Sequence, residues 1–271
     1  MGGRVAVPGG LGVVGLLIYL AISVLGGGGS GGAALDVPGA FDDATRAPQS
    51  APIPADQDPD RDLKDFSTYV FTDTQKTWEQ TFARAGKPYT HAKLVLFRGG
   101  VRTGCGSASS AVGPFYCPAD RRVYLDLSFQ RELAGRLGAG GDFAWAYVIA
   151  HEMGHHVQQQ SGTSDEVHAQ EQDHPDQANA LSVRLELQAD CYAGVWAHAV
   201  YGQGQLESGD VDEAVGAAGA VGDDRLQRQA TGSVRPDTFT HGSSAQRARW
   251  FTTGYKTGEP AACDTFSADE V

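Results

Sequence analysis

The sequence predicts an α+β domain behind a single N-terminal transmembrane helix. An apolar run lies close to the N-terminus, β-rich segments follow it after a polar linker, and helical periodicity dominates the rest of the chain. Strands that are followed by helices are typical of α+β domains.

The N-terminal apolar run is long enough to span a membrane. Residues 5–25 contain no charged residue, and about 20 such residues cross the hydrocarbon core of a bilayer as a helix. Arg4 precedes the run and Asp36 is the first charge after it, so the positive-inside rule places the C-terminal part outside the cytoplasm. A cleaved signal peptide is the main alternative. We therefore expect residues 1–27 to form a short cytoplasmic tail and a single-pass anchor in the cell membrane.

A flexible linker is predicted over residues 28–61, which are rich in Gly, Pro, Ala and Asp and contain few large apolar residues. The folded domain is predicted over residues 62–271. It begins with an amphipathic helix whose apolar side chains share one face, namely Leu63, Phe66, Val70, Trp78 and Phe82.

Strands are predicted after this first helix. Residues 91–97 (HAKLVLF) alternate in polarity and are rich in β-forming residues. Two further strands should flank the turn-rich residues 104–122, and the second of them should cover residues 123–127. An extended substrate could add a strand to the sheet edge near residues 113–117 or 123–127.

Helical periodicity returns at about residue 143. Three helices are predicted, over residues 143–160, 176–201 and 211–230, and a polar loop should separate the first two. Phe143, Tyr147 and several alanines indicate that the first of these helices is buried.

Charge and cysteine content restrict the function and the compartment. The net charge of −12 disfavours a nucleic-acid partner, because an acidic surface repels phosphate. The four cysteines form no CxxC pair, which disfavours a cysteine-based zinc site and, in an exported protein, indicates two disulfides. Three pairings are possible, and pairing of nearest neighbours joins Cys105 to Cys117 and Cys191 to Cys263.

His151 and His155 are predicted metal ligands. They lie four residues apart on a predicted helix, about 40° apart around its axis, so both rings can bind one metal ion. Glu152 lies beside the first ligand and can reach a water molecule; this is the HExxH pattern of zinc peptidases. Gly154 leaves space between the two rings. The alternative is a pair of histidines on a solvated helix face, and His156, about 100° away, is expected at the surface or behind a ligand.

Glu186 is the predicted third ligand, and Asp190 is predicted to accept a hydrogen bond from a ligating histidine. These carboxylates are one turn apart within an apolar helix, where they are costly to bury unless a cation or donor is nearby. In the alternative, both face solvent. His168 and His174 could also supply the third ligand from the polar loop, although less rigidly.

Three motifs carry a family resemblance: AYVIAHEMGHHVQ, RLELQADCYAGVWA and FTHGSSAQRARWF. Together they resemble the bacterial family of neutral zinc metallopeptidases over about residues 62–265. The resemblance implies a zincin-like fold, a membrane-anchored or exported location, Glu186 as third zinc ligand and Asp190 as the orienting carboxylate, as in gluzincins with an ExxAD helix.

The third motif resembles the segment of membrane-associated gluzincins in which a histidine stabilises the oxyanion and an arginine supports it. The resemblance gives these roles to His241 and Arg247. Gly242 stands where those enzymes often have proline. The alternative is a helix-capping loop in which Arg247 and Trp250 pack structurally.

The predicted function is hydrolysis of peptide bonds by a membrane-anchored, zinc-dependent endopeptidase with one zinc ion. Zinc chemistry lowers the pKa of water to about 7, and Glu152 takes the proton as general base and delivers it to the leaving amine. Zinc and His241 would offset the charge on the oxyanion. Two alternatives are a zinc-stabilised binding or assembly module without catalysis, and a metal-dependent hydrolase of a non-peptide amide.

Overall fold

The computed structural model describes residues 57–271 as a mixed fold with a helical majority. The predicted anchor and the linker up to residue 56 lie outside the described residues. Within residues 57–271, none of the helices has the length and apolar character needed to cross a bilayer.

Eight α-helices occur within the described residues: α1 (Arg61–Arg84), α2 (Phe129–Gly135), α3 (Asp142–Ser161), α4 (Thr163–Asp173), α5 (Ala178–Gly202), α6 (Asp210–Ala220), α7 (Asp223–Thr231) and α8 (Ser244–Thr257). Five strands lie between α1 and α2: β1 (Lys93–Phe97), β2 (Gly100–Thr103), β3 (Gly106–Ser109), β4 (Phe115–Cys117) and β5 (Arg122–Asp126).

The first helix begins as predicted and its apolar stripe is internal. Val70, Trp78 and Phe82 are buried, and Leu63 and Phe66 pack against the core. The residues before α1 also contact the domain: Arg98 donates a 2.6 Å hydrogen bond to Asp60, and Lys64 donates to Asp58. Residues 57–60, which the sequence assigned to the linker, are therefore held against the fold.

The main sheet has the strand order β1-β5-β4, with β1 parallel and β4 antiparallel to β5. β2 and β3 form a separate antiparallel hairpin. The turn-rich residues 104–122 also contain two short strands that the sequence did not assign, β3 and β4. Since β5 is paired on both sides, residues 123–127 cannot accept an added strand, whereas β4 lies at an edge.

Two predictions about helices were also wrong. The polar loop after residue 160 is mostly the helix α4, which buries Ser164 and Val167 and begins after Gly162, whose φ is +86°. The predicted helix over residues 211–230 is two helices, α6 and α7. Gly222 separates them with an extended backbone (φ −70°, ψ 141°), and it passes so close to Ser244 that a β-carbon there would overlap the Ser244 amide.

Both disulfides join nearest neighbours, as expected. Cys105 pairs with Cys117 and so links the β2–β3 hairpin to β4. Cys191 on α5 pairs with Cys263, which ends the short 3-10 helix Pro260–Cys263.

Helix α3 runs through the core, and α5 packs against it and against α8. Two glycines set the spacing between α5 and α8. A β-carbon on Gly194 would overlap the carbonyl oxygen of Phe251, and one on Gly254 would overlap that of Cys191. The main chains of the two helices are therefore in direct contact, which places the side chains at the start of α8 beside those of α5.

Substitution of Gly194 tests this contact. Gly194→Ala should lower the free energy of unfolding by at least about 1–3 kcal/mol, since the overlapping atoms are main-chain atoms that cannot rotate away. Gly216→Ala is the matched control: Gly216 is an exposed helical glycine with no atom within 4 Å of an added β-carbon. The control should stabilise the fold by about 0.5–1 kcal/mol through helix propensity. Denaturant unfolding of both variants gives the values, and equal effects would contradict the close packing.

Candidate metal centre

Three side chains from two helices converge at the centre of the fold. His151 and His155 project from α3 and Glu186 from α5. The Nε2 atom of His151 lies 3.2 Å from Oε2 of Glu186, and Nε2 of His155 lies 3.4 Å from Oε1. One ligand atom from each residue lies within 4.8 Å of the others. The structure therefore brings the three sequence-predicted ligands together.

The unpartnered atoms of this group fit a metal ion. His155 Nε2 and both carboxylate oxygens of Glu186 are buried without a hydrogen-bond partner. Buried polar atoms without partners are costly, and a cation among them would satisfy all three residues at once. Two imidazole nitrogens and one carboxylate form the donor set of catalytic zinc sites that keep one position open. The described residues contain one other group of possible metal ligands, and it has no histidine: Asp142, Asp210 and Glu213.

Asp190 is hydrogen-bonded to His151. It is fully buried, and its Oδ1 lies 2.9 Å from Nδ1 of His151. A carboxylate only accepts, so His151 donates from Nδ1 and turns the lone pair of Nε2 towards Glu186. Burial alone would lower the pKa of His151, but the nearby carboxylates of Asp190 and Glu186 raise that pKa to about 10.

Arg247 compensates the charge of Asp190. Its Nε and Nη2 atoms donate to the two carboxylate oxygens at 2.8 and 2.9 Å. Tyr147 also donates to Asp190, at 2.5 Å, and accepts from Arg247 at 3.1 Å. Burial would raise the pKa of Asp190, but Arg247 and His151 lower it, so the carboxylate stays charged.

Glu152 is buried beside the ligands and faces a cleft. Desolvation raises the pKa of its carboxyl group above the usual value. The cleft has a volume of about 560 Å³, and Glu152 and His155 lie in its wall together with Phe115 and Tyr116 of the edge strand β4.

His241 lies in the loop before α8, and Asp223 holds it. Its Nδ1 is 3.2 Å from Oδ1 of Asp223, and Oδ2 of Asp223 accepts the main-chain amides of Thr240, His241 and Gly242 at 2.8, 2.7 and 3.2 Å. The Nε2 atom of His241 is buried without a hydrogen-bond partner. Burial would lower the pKa of His241, but the hydrogen bond to Asp223 raises it.

The loop differs in two ways from what the resemblance implies. Arg247 makes its hydrogen bonds to Asp190 and Tyr147, and it is Asp223 that contacts the ring of His241. Gly242 has a φ of +90°. Proline is fixed near −65°, so it cannot replace Gly242 in this conformation. The helix-capping alternative also describes part of the loop, since Ser243 and Gln246 form a capping box at the start of α8.

Two predictions about α3 were wrong. Gly154 does not make room between the histidine rings; an added β-carbon would lie 2.9 Å from the carbonyl oxygen of Ala189, so this glycine lets α3 approach α5. His156 lies neither at the surface nor behind a predicted ligand: it is fully buried, and the hydrogen-bond partners of its ring are Thr90 and Tyr116. Its Nε2 donates to the carbonyl of Thr90 at 2.8 Å, which leaves Nδ1 to accept from the hydroxyl of Tyr116 at 3.0 Å. Burial lowers the pKa of His156 to about 4.

The alternative histidine ligands lie outside the three-residue group. His168 is on α4, lines the cleft and lies 3.1 Å from Glu171. His174 is exposed at the end of the same helix.

Sequence reasoning missed Tyr147, Gln158 and Asp223 as parts of the site. Tyr147 is one helical turn before His151, so the i, i+4, i+8 spacing of residues 147, 151 and 155 could have identified it. Gln158 contacts His155 from three residues along the same helix. Asp223 contacts His241 across 18 residues of chain, and no spacing within one helix indicates such a pair.

The chain is similar to a described protein family and to proteins of other bacteria. The model of the family described as "Putative neutral zinc metallopeptidase" matches residues 1–266. The uncharacterized protein YpfJ of Escherichia coli (strain K12) is 54% identical over 202 residues, which cover 74% of this chain and 70% of YpfJ. The uncharacterized protein Rv2575 of Mycobacterium tuberculosis (strain ATCC 25618 / H37Rv) is 50% identical over 194 residues, which cover 68% of this chain and 65% of Rv2575. No solved structure matches the chain significantly.

The ion pair between Asp190 and Arg247 can be tested by removing one partner. Arg247→Met keeps much of the side-chain volume but leaves Asp190 buried without its counter-charge, which should cost about 3–5 kcal/mol of stability. Arg249→Met is the control, because Arg249 lies on the same helix with an exposed side chain and should change stability by about 0.5 kcal/mol or less. Urea unfolding in the presence of a chelator measures both. Similar losses in the two variants would contradict the role of Arg247.

Proposed function

The chain belongs to the family of neutral zinc metallopeptidases, and from this we propose that it is a zinc-dependent endopeptidase that hydrolyses peptide bonds in proteins. The proposal rests on one observation. The Nε2 atoms of His151 and His155 and the carboxylate of Glu186 converge on one point, beside the buried Glu152 and an open cleft. A purely structural zinc site would have a fourth protein ligand and no use for a base.

One zinc ion fits the donor set of His151, His155 and Glu186. When bound, zinc supplies a Lewis acid that polarises the substrate carbonyl group and makes water more acidic. The chain's own contribution begins with ligand orientation: Asp190 holds the proton of His151 on Nδ1, so that Nε2 remains a donor of its lone pair.

Glu152 would be the general base. Its carboxylate accepts a proton from the attacking water and later gives that proton to the leaving amine. Burial raises the pKa of Glu152, which makes its carboxylate a better proton acceptor than an exposed glutamate. The group can therefore serve in both directions of the transfer.

His241 would donate a hydrogen bond to the oxygen that becomes negatively charged when water attacks the carbonyl carbon. Asp223 engages Nδ1, which leaves Nε2 as the only free ring nitrogen. The pKa of His241 is raised, which favours a proton on Nε2 as well. A hydrogen bond to a developing oxyanion typically contributes about 10²–10³ in rate.

Edge strand β4 would align the substrate. Tyr116 and Phe115 of β4 line the cleft next to Glu152, and an extended peptide can pair with an edge strand through main-chain hydrogen bonds. An endopeptidase would bind its substrate in this way, with the peptide continuing past the cleft on both sides.

We also propose that the domain acts outside the cytoplasm, attached to the cell membrane through residues 1–27. Both disulfides support this location, because such bonds persist in oxidising compartments. Protease added to spheroplasts should digest the domain while a cytoplasmic marker survives. Recovery of the intact chain in the soluble cytoplasmic fraction would contradict the proposal.

Glu152→Gln tests the central assignment. The complete chain and this variant should each bind about one zinc ion, since Glu152 is not a ligand. The variant should cleave an unstructured protein such as casein at least about 10²–10⁴-fold more slowly, because the amide cannot accept the proton. Zinc content by metal analysis and fragment release by electrophoresis provide the two measurements.

His241→Gln in the same assay should lower kcat by about 10²–10³-fold with zinc content unchanged. His91→Gln is the matched control, since His91 is exposed and pairs with Glu79 on the surface. Zinc binding without cleavage by the wild-type chain would favour a non-catalytic zinc module. Absence of zinc from the wild-type chain would overturn the proposed function altogether.

A further inference from the structure

A buried row of amide groups connects His155 to the main chain near the C-terminus. The Nδ1 atom of His155 lies 2.9 Å from Oε1 of Gln158. The Nε2 atom of Gln158 donates to Oε1 of Gln188 at 3.1 Å and to the carbonyl of Leu185 at 2.7 Å. Gln188 in turn donates to the carbonyl of Cys263 at 3.1 Å. Gln158 is fully buried and Gln188 is 6% exposed.

The direction of every hydrogen bond in this row is fixed by its ends. Main-chain carbonyl groups only accept, so the NH₂ group of Gln188 must face Cys263 and its oxygen must face Gln158. The NH₂ group of Gln158 must then face Gln188, and Leu185 requires the same orientation independently. Oε1 of Gln158 is therefore left for His155, whose Nδ1 can only donate to it.

This direction has a consequence for the metal centre. With its proton on Nδ1, His155 presents the lone pair of Nε2, which is one of the buried, unpartnered atoms of the three-residue group. The opposite tautomer would place a proton on Nε2 and prevent it from acting as a ligand. His151 obtains the same tautomer from the carboxylate of Asp190. Within residues 57–271, Nδ1 of His155 faces no such carboxylate, and a single amide could rotate by 180° unless other groups held it.

We propose that Gln158 and Gln188 are positioning residues for the metal centre: they fix the tautomer and ring orientation of His155 through the carbonyl groups of Leu185 and Cys263. The inference rests on the proposed function only in that His155 binds the metal. The disulfide between Cys191 and Cys263 belongs to this arrangement, because Cys191 lies one turn after Gln188 on α5 and holds the Cys263 carbonyl in reach.

The test compares metal affinity and tautomer in three variants of the complete chain. Gln158→Met removes both the acceptor for His155 and the donor to Leu185 with little change in volume. Gln188→Met leaves the contact to His155 and removes the link to Cys263. Gln160→Met is the control: it lies on the same helix, and its Oε1 accepts from the Thr90 amide, apart from the row.

Zinc affinity is measured by competition with a chromophoric chelator, after circular dichroism has shown that each variant is folded. We expect Gln158→Met to weaken zinc binding about 10- to 100-fold, the range typical for groups that orient metal ligands. Gln188→Met should weaken it less, and Gln160→Met should stay within about twofold of wild type. A purely structural role would destabilise the fold without changing the affinity of the folded chain.

The imidazole ¹⁵N shifts of His155 in metal-free protein give a readout that needs no zinc and no substrate. We expect Nδ1 to be protonated in wild type and in Gln160→Met, and a mixture of tautomers in Gln158→Met. Unchanged zinc affinity together with an unchanged tautomer in Gln158→Met would overturn the inference. A wild-type chain that binds zinc but cleaves nothing would overturn the proposed peptidase and leave the positioning role supported.

Discussion

The charge balance around Asp190 is the constraint on which the rest of the structure depends. Glu186 and Asp190 place two carboxylates one turn apart in the core, and only Arg247 brings a permanent positive charge to them among the described residues. Removing one partner of such a buried ion pair destabilises the fold far more than replacing both partners by apolar side chains. Arg247 reaches Asp190 because α8 packs main chain to main chain against α5 at Gly194 and Gly254. The close packing of α8 against α5 is therefore necessary for the charge balance of the centre.

Two different chemistries orient the two histidines. A charged carboxylate faces His151, and a neutral amide faces His155. A second carboxylate behind His155 would add another buried negative charge beside Glu186, and the described part of the chain places no second arginine there to compensate it. An amide avoids that charge but has two possible orientations, so it requires a longer set of hydrogen bonds ending on main-chain carbonyl groups. The asymmetry between the two histidines follows from this limit on buried charge.

The sequence predicted the parts of the fold that depend on spacing within one element. Helices α3 and α5 were predicted from their long apolar periodicity. The i, i+4 spacing predicted that His151 acts with His155 and Glu186 with Asp190. Helix α4 was missed because only Ser164 and Val167 of it are buried, which leaves no apolar stripe. Strands β3 and β4 were missed because they are only 4 and 3 residues long, and β3 is made of small residues. Asp223 was not predicted because its contact with His241 forms only when α7 packs against the start of α8. The anchor lies outside the described residues and stays a prediction.

The disulfide between Cys191 and Cys263 implies that the site is completed in two steps after synthesis. The carbonyl that ends the row of amides belongs to a residue held in place by that bond. Thiols stay reduced in the cytoplasm and pair in oxidising compartments. A newly made chain that is still reduced therefore has both histidines and Glu186 but lacks the covalent link that holds the far end of the row. Complete orientation of the centre therefore has to follow formation of this disulfide, and the reduced chain passes first through a less ordered form of the site.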